Sequence, residues 1–362
     1  ASVTEIVNRC CRFGTPIIAG GPLFTTGFAA FPDIDHFVLG EAEELMPLVI
    51  EDMRRGTVCH TYAASSRPDI TCVPSPRWDL IDFQNYVTMS VQFSRGCPFD
   101  CEFCDIIVMN GRVPRTKSPA QLVAELEELR LRGWQDMVFV VDDNFIGNKP
   151  QAKALLRELI QWRARTGAKM GFLTEASANL ADDAELCELM VRAGFKKVFV
   201  GFETPSLESL KECRKLQNCR RDPVETVKTL QRAGLEVMGG FIVGFDSDGK
   251  DIFQRQFDFI QQTGVVTAMV SLLQALPRSR LTKRLNREGR LLSIGGGDNT
   301  SGVFNFETRL DREYLQDNYR RLMKKLYEPG NYYRRIRTFL EAYTLRGPRM
   351  RPTCRDLAAV FK

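Results

Sequence analysis

Histidine is nearly absent: the chain of 362 residues contains 2. A metal shell of mixed cysteine and histidine ligands therefore has little nitrogen to draw on. No run reaches the ~18 apolar residues that a membrane-spanning helix needs. The opening residues lack a basic stretch leading into an apolar one, which points to a cytoplasmic protein and not a secreted one. No repeat at solenoid period is present. The 11 cysteines are odd in number and scattered, so they read as reduced thiols and not as a disulfide framework. The remaining composition, 44% hydrophobic and 26% charged, is that of a globular protein long enough for one large domain or two smaller ones.

The net charge of +5 is unevenly placed, with 14 Lys or Arg against 6 Asp or Glu between residues 309 and 362. That basic segment reads as a solvated helical face, with an anionic membrane surface as the alternative. No nucleic acid is expected as a partner.

Patterning divides the chain into four stretches. Residues 1–56 read as the end of a Rossmann-like unit: a helix, a short strand at 16–19, a second at 35–39 and a helix over 41–55. So few strands do not make a stable sheet alone, which implies further strands upstream of this sequence. Residues 57–87, with "SSRPDITCVPSPRWDL", read as a linker. From 88 to 290, strands at 88–94, 137–142, 170–175, 197–202, 237–243 and 267–274 alternate with helices. Each helix ends at a glycine, the residue best suited to a left-handed stop. Ser118 and Pro119 mark one helix start. Six parallel strands are fewer than the eight of a closed barrel, so the predicted fold is α/β, a partial (β/α)6 barrel. Residues 291–362 read as a loop, "SIGGGDNTSG", followed by a mostly helical domain.

The densest chemistry is "FSRGCPFDCEFCDI", in which Cys97, Cys101 and Cys104 are spaced C-x3-C-x2-C. Structural zinc wants four ligands, and the next candidates, Cys72 and His60, lie far upstream. A redox disulfide leaves the third cysteine idle. A four-iron cluster fits better, with three irons held by thiolates and one left for a non-protein ligand. The loop follows the first barrel strand at its C-terminal end, where barrels of this class place their chemistry. The remaining cysteines, among them Cys10, Cys11, Cys59, Cys72, Cys187 and Cys354, read as free thiols. Cys213 and Cys219 are too few for a second cluster.

This motif, with Phe103 just before its last cysteine, resembles the cluster loop of the radical S-adenosylmethionine (SAM) enzymes. "GGP" at 20–22, "DHFVLGEAEE", "GRVPRTK", "VDDNFIGNK", "TEASANLADDAEL", "FVGFETP", "GFIVGFDSD" and "ALPRSRLTKRL" extend the resemblance over nearly the whole chain. They are similar to the cobalamin-dependent subfamily typified by hopanoid C-2 methylases. The resemblance implies a [4Fe-4S] cluster on Cys97, Cys101 and Cys104, whose free iron is chelated by SAM. SAM is then cleaved to a 5′-deoxyadenosyl radical, and methylcobalamin methylates an unactivated carbon of a lipid such as a hopanoid. Non-methylating radical chemistry and a zinc- or cluster-containing binding module are the alternatives. A one-electron donor such as flavodoxin or ferredoxin is implied.

By resemblance, Phe103 lies beside the adenine, and Asp142 and Asp143 meet the SAM amino group where many relatives carry Gly-Gly-Glu. Glu175, Ser177 and Glu203 approach the carboxylate and ribose, and Gly240, Ile242 and Gly244 run along the adenine. Gly20 and Gly21 touch cobalamin. His36 has the wrong spacing for a cobalt ligand and reads as structural.

Overall fold

The structure, a computed structural model, describes residues 2–293, 295 and 302–347. The N-terminal unit comprises helix α1 (Ser2–Cys11), strand β1 (Ile18–Gly20), α2 (Pro22–Gly27), β2 (His36–Leu39), α3 (Leu45–Arg55) and β3 (Thr61–Ala63). Its strands pair in parallel in the order β1-β2-β3. β3 falls within the stretch read as a linker, because three residues among prolines and serines give too short a period to recognise. The same stretch also packs against the barrel: Ile70 and Trp78 are buried, and Val73 O accepts from Gln121 Nε2 at 2.9 Å. His36 is structural, its Nδ1 lying 2.8 Å from Cys59 O.

The second unit carries β4 (Met89–Val91), β5 (Ser94–Arg95), α4 (Ile106–Met109), β6 (Arg115–Thr116), α5 (Pro119–Leu131), β7 (Met137–Val140), α6 (Lys149–Thr166), β8 (Gly171–Glu175) and α7 (Ala184–Ala193). It continues through β9 (Phe195–Glu203), α8 (Leu207–Glu212), α9 (Pro223–Ala233), β10 (Glu236–Val243), α10 (Ile252–Thr263), β11 (Ala268–Leu272) and α11 (Arg280–Arg287). Six strands form one parallel sheet in the order β11-β10-β9-β8-β7-β4, the expected partial (β/α)6 barrel. One large core of leucine, valine and phenylalanine fills the space between sheet and helices. Local signals act as read from the sequence. Ser118 caps α5 by accepting from Gln121 N, and α6, α7, α9 and α10 stop at left-handed Gly167, Gly194, Gly234 and Gly264.

The first barrel strand is shorter than the 88–94 expected. After Val91 the chain leaves the sheet, and Ser94–Arg95 pairs antiparallel with β6. The Asp142 carboxylate replaces the lost ladder, accepting from Phe93 N at 2.8 Å and Ser94 Oγ at 2.6 Å.

Two further helices, α12 (Arg312–Tyr327) and α13 (Pro329–Ala342), pack outside the barrel. Tyr319 and Tyr327 donate to Val270 O and Ala268 O on β11, and buried Arg335 donates to Leu326 O and Val266 O. These tyrosines thus attach the C-terminal helices to the barrel. Most of the glycine-rich loop, Cys354 and the basic residues from Arg349 onward lie outside the described residues.

Candidate functional site

The cysteine loop leaves β5 through Gly96, whose φ of +103° favours glycine. A Cβ there would lie 3.0–3.2 Å from the carbonyl oxygens of Gly111, Asn110 and Val113. Asp143 fixes this turn, its Oδ2 accepting from Gly96 N and from Asn110 Nδ2, both at 2.8 Å. Farther along, Asp100 pairs with Arg280 and Arg214, and Glu102 with Arg284. Arg284 and Arg290 also engage Asp246 beyond β10. On the opposite side Arg95 and Arg115 converge on Glu41 at 2.6 and 2.5 Å, tying the loop's hairpin to the N-terminal unit. Three thiols are thereby presented from a loop braced on every side.

Cys97, Cys101 and Cys104 line one cavity of about 210 Å3 at the C-terminal mouth of the parallel sheet. Phe99, Phe103, Ile106, Asp143, Asn144, Glu175, Ala176, Ser177, Phe199, Gly201, Glu203, Lys215 and Gln217 complete its wall. Burial raises the pKa of the Cys97 thiol and pushes that of Cys104 up to about 12. Amide donors stand near two sulfurs, Asn144 Nδ2 at 3.7 Å from Cys97 Sγ and Gln217 Nε2 at 3.6 Å from Cys101 Sγ.

Of the residues expected here, Phe103, Asp143, Glu175, Ser177 and Glu203 line the cavity. Asp142 does not: it is buried beneath, and burial pushes its carboxyl up to about 6. Gly240, Ile242 and Gly244 also stand back from the lining. A Cβ on Gly240 would meet the ring of Phe199 at 2.7 Å, and one on Gly244 the ring of Phe304 at 2.5 Å, so both glycines serve packing. Ile242 is half-buried against the core. Glu203 is not a free acceptor, since Lys215 Nζ lies 2.5 Å from its Oε1.

The sequence reading missed Asn144, Phe199, Lys215 and Gln217. Asn144 directly follows Asp143 and was within reach of the strand-end argument. Lys215 and Gln217 lie in a short turn segment after α8 that shows no periodicity. Glu175 is pushed up to about 7, chiefly by burial and then by the nearby Asp143 charge. Burial opposes the charge of Lys215, yet Glu203 and the sulfurs of Cys101 and Cys104 keep its pKa above that of an ordinary lysine.

A single zinc ion suits this donor set poorly. Among the described residues, no group of three His, Cys, Asp or Glu side chains converges to hold one ion. Three thiols around a cavity, with amide donors at their sulfurs and a cation alongside, suit an iron–sulfur cluster, whose thiolates stand farther apart. Residues 91–260 carry a domain of the radical SAM superfamily. A model described as a domain of unknown function (DUF4070) matches residues 279–362.

Curated relatives and solved structures resemble the chain over most of its length. An uncharacterised methyltransferase of Synechocystis is 43% identical over 94% of this chain and 64% of its own length. A hopanoid C-2 methylase of Rhodopseudomonas palustris is 37% identical over 80% of this chain and 56% of its own. The chain thus spans under two thirds of the length of both relatives. The solved structure of OxsB, a cobalamin-dependent S-adenosylmethionine radical enzyme with aqua-cobalamin bound, has a TM-score of 0.69 at 16% identity. It covers 94% of this chain and 62% of that one. The radical SAM methyltransferase TsrM of Kitasatospora setae has a TM-score of 0.65 at 17% identity, covering 78% and 60%. At those identities the likeness is one of fold.

Further cavities open at the C-terminal ends of the N-terminal strands, the usual ligand position in parallel sheets. Gly21, Pro22, Gly40, Glu41, Arg95 and Asn110 help line one of about 310 Å3. Gly21 belongs to that wall. Gly20 does not; it leaves room for β2, since its Cβ would lie 3.1 Å from Val38 O. No described helix is long and apolar enough to cross a membrane.

Proposed function

We propose that this chain is the catalytic part of a cobalamin-dependent radical SAM C-methyltransferase acting on a lipid such as a hopanoid. One observation carries the reading: three thiols and a set of carboxylates share a cavity at the C-terminal mouth of a six-stranded parallel sheet. Cys97, Cys101 and Cys104 would hold the [4Fe-4S] cluster. When bound, the cluster supplies an electron for SAM cleavage to a 5′-deoxyadenosyl radical, and cobalamin supplies the methyl group.

The chain's own residues bind, orient and exclude. Phe103 and Phe199 give the cavity apolar walls that keep water from a reactive species. Asp143 and Glu175 present carboxyl groups suited to the SAM ammonium, and Ser177 a hydroxyl suited to its carboxylate or ribose. Glu203 would turn toward the ribose only by sharing its oxygens with Lys215. Gly21 and its neighbours would receive part of cobalamin. The same reading divides the chain into a cobalamin-binding remnant (1–56), a linker (57–87), the radical SAM barrel (88–290) and a helical domain (291–362). Flavodoxin or ferredoxin would deliver the electron in the cytoplasm. The exposed basic face of the C-terminal helices is the side that would meet a membrane. The lipid assignment draws on the hopanoid methylase relative.

The test is anaerobic incubation of the reconstituted protein with SAM, methylcobalamin, a one-electron reductant and hopanoid lipids, followed by mass spectrometry. The expected products are 5′-deoxyadenosine and a lipid carrying one added methyl group. 5′-Deoxyadenosine without any methylated product would remove the methyltransferase reading, and absence of both from cluster-loaded protein would remove the radical reading itself.

A further inference from the structure

Lys215 and Glu203 form an ion pair in the wall of the cysteine cavity, and nothing in the fold requires one there. Both side chains are nearly covered, with 13% and 8% of their surface exposed. A buried pair is weak evidence of stability, because removing two charges from water costs about what their attraction returns. Yet the chain is shaped to hold this one. The register between β9 and β10 shifts so that Phe241 pairs with Glu203, and Glu203 takes a left-handed φ of 64°. Gly201 leaves the space open: a Cβ there would come within 3.0 Å of Lys215 Nζ and nearer still to Glu203 Oε1.

The segment that brings in Lys215 is pinned to both sides of the site. Cys213 O accepts from Glu102 N at 2.8 Å, inside the cysteine loop. Asn218 Nδ2 donates to Gly201 O and Phe202 O, at the end of β9. Between these anchors, Gln217 reaches the Cys101 sulfur, and Lys215 Nζ lies 5.8 Å from the centre of the Phe103 ring, the residue preceding Cys104.

We propose that Lys215 and Glu203 are an opposed charge pair that sets the reduction potential of an iron–sulfur cluster held by Cys97, Cys101 and Cys104, with Lys215 as the positioning residue. This rests on the function proposed above. Reduction adds one electron to a buried cluster. A neighbouring ammonium favours the reduced form and a neighbouring carboxylate opposes it, both strongly where solvent is excluded. Gln217 acts with Lys215, since an amide donor on a ligand sulfur also favours reduction.

The test is a potentiometric titration of anaerobically reconstituted protein, followed by the paramagnetic signal of the reduced cluster. Lys215→Met lowers the one-electron reduction equilibrium constant about tenfold, a shift of ~59 mV. Glu203→Gln raises it by a similar factor, the double variant falls between, and Lys215→Arg stays near the unmodified protein. Shifts of the same sign in both single variants, or none, overturn the proposal, because a merely structural pair has no reason to move the potential in opposite directions. Should Lys215→Met fail to fold, Glu203→Gln and Gln217→Leu carry the test, with expected shifts upward and downward. Iron and sulfide counts on the same samples separate the two readings. A chain that assembles no cluster overturns the proposed function and this inference with it, whereas an intact cluster with unmoved potentials overturns the inference alone.

Discussion

Replacing Gly96 by alanine probes how the fold presents the cysteines. Two costs add. A non-glycine residue at φ +103° is strained, by about 1–2 kcal/mol on the usual scale for left-handed backbone. The new Cβ also meets three carbonyl oxygens at 3.0–3.2 Å, and backbone cannot swing aside as a side-chain tip can. Forced contact of that kind costs about 1–3 kcal/mol. Gly133 separates the two effects, since its φ is +96° but nothing lies within 4 Å of its Cβ. Equilibrium denaturation with urea should therefore show Gly96→Ala losing about 2–5 kcal/mol and Gly133→Ala about 1–2 kcal/mol. Because Gly96 N is also a donor to Asp143, Gly96→Ala should in addition lower the iron retained after reconstitution, while Gly133→Ala should not. Equal losses in the two variants, with equal iron, would refute the claim that close backbone packing around the turn positions the loop.

Other perturbations have equally definite outcomes. Glu175 titrates near 7 in the folded chain against 4.5 for an ordinary glutamate, so the unfolded state loses its proton first and stability falls as pH rises from about 4.5 to about 7. Glu175→Gln should flatten part of that decline and stabilise the protein at pH 8 by on the order of 1–3 kcal/mol, and a pH–stability curve parallel to that of the unmodified chain would count against it. Arg284→Met leaves Glu102 and Asp246 without their shared cation. It should cost about 2 kcal/mol in denaturant titration, with Arg284→Lys recovering only part because lysine lacks the bidentate fork; full recovery by lysine would show that charge alone matters there.

How much of this was legible in the sequence depended on whether a feature was local. Capped helix starts, glycine stops and six apolar strands are local, and they gave the barrel without coordinates. The spacing of Cys97, Cys101 and Cys104 is local too. β3 escaped because a three-residue strand has too little period to stand out among prolines. Asp142 and Asp143 were indistinguishable as neighbours in one strand end. Alternation sends one carboxylate beneath the hairpin and the other to the cavity wall, and only the break after Val91 decides which. Lys215 was invisible for another reason. Its role comes from a turn that brings it beside a glutamate twelve residues earlier, and from Gly201 leaving room for both. Glycines 240 and 244 were read as ligand-facing, and aromatic rings turned out to occupy the space that their missing side chains leave.

Metal and sulfide analysis after anaerobic reconstitution, on the unmodified chain and on Cys97→Ala, Cys101→Ala and Cys104→Ala, tests the central claim most directly. The account predicts about four irons and four sulfides per chain, lost in each variant, with the spectrum of the reduced cluster changing when SAM is added. One zinc per chain, or undiminished iron after any of the three replacements, would contradict it.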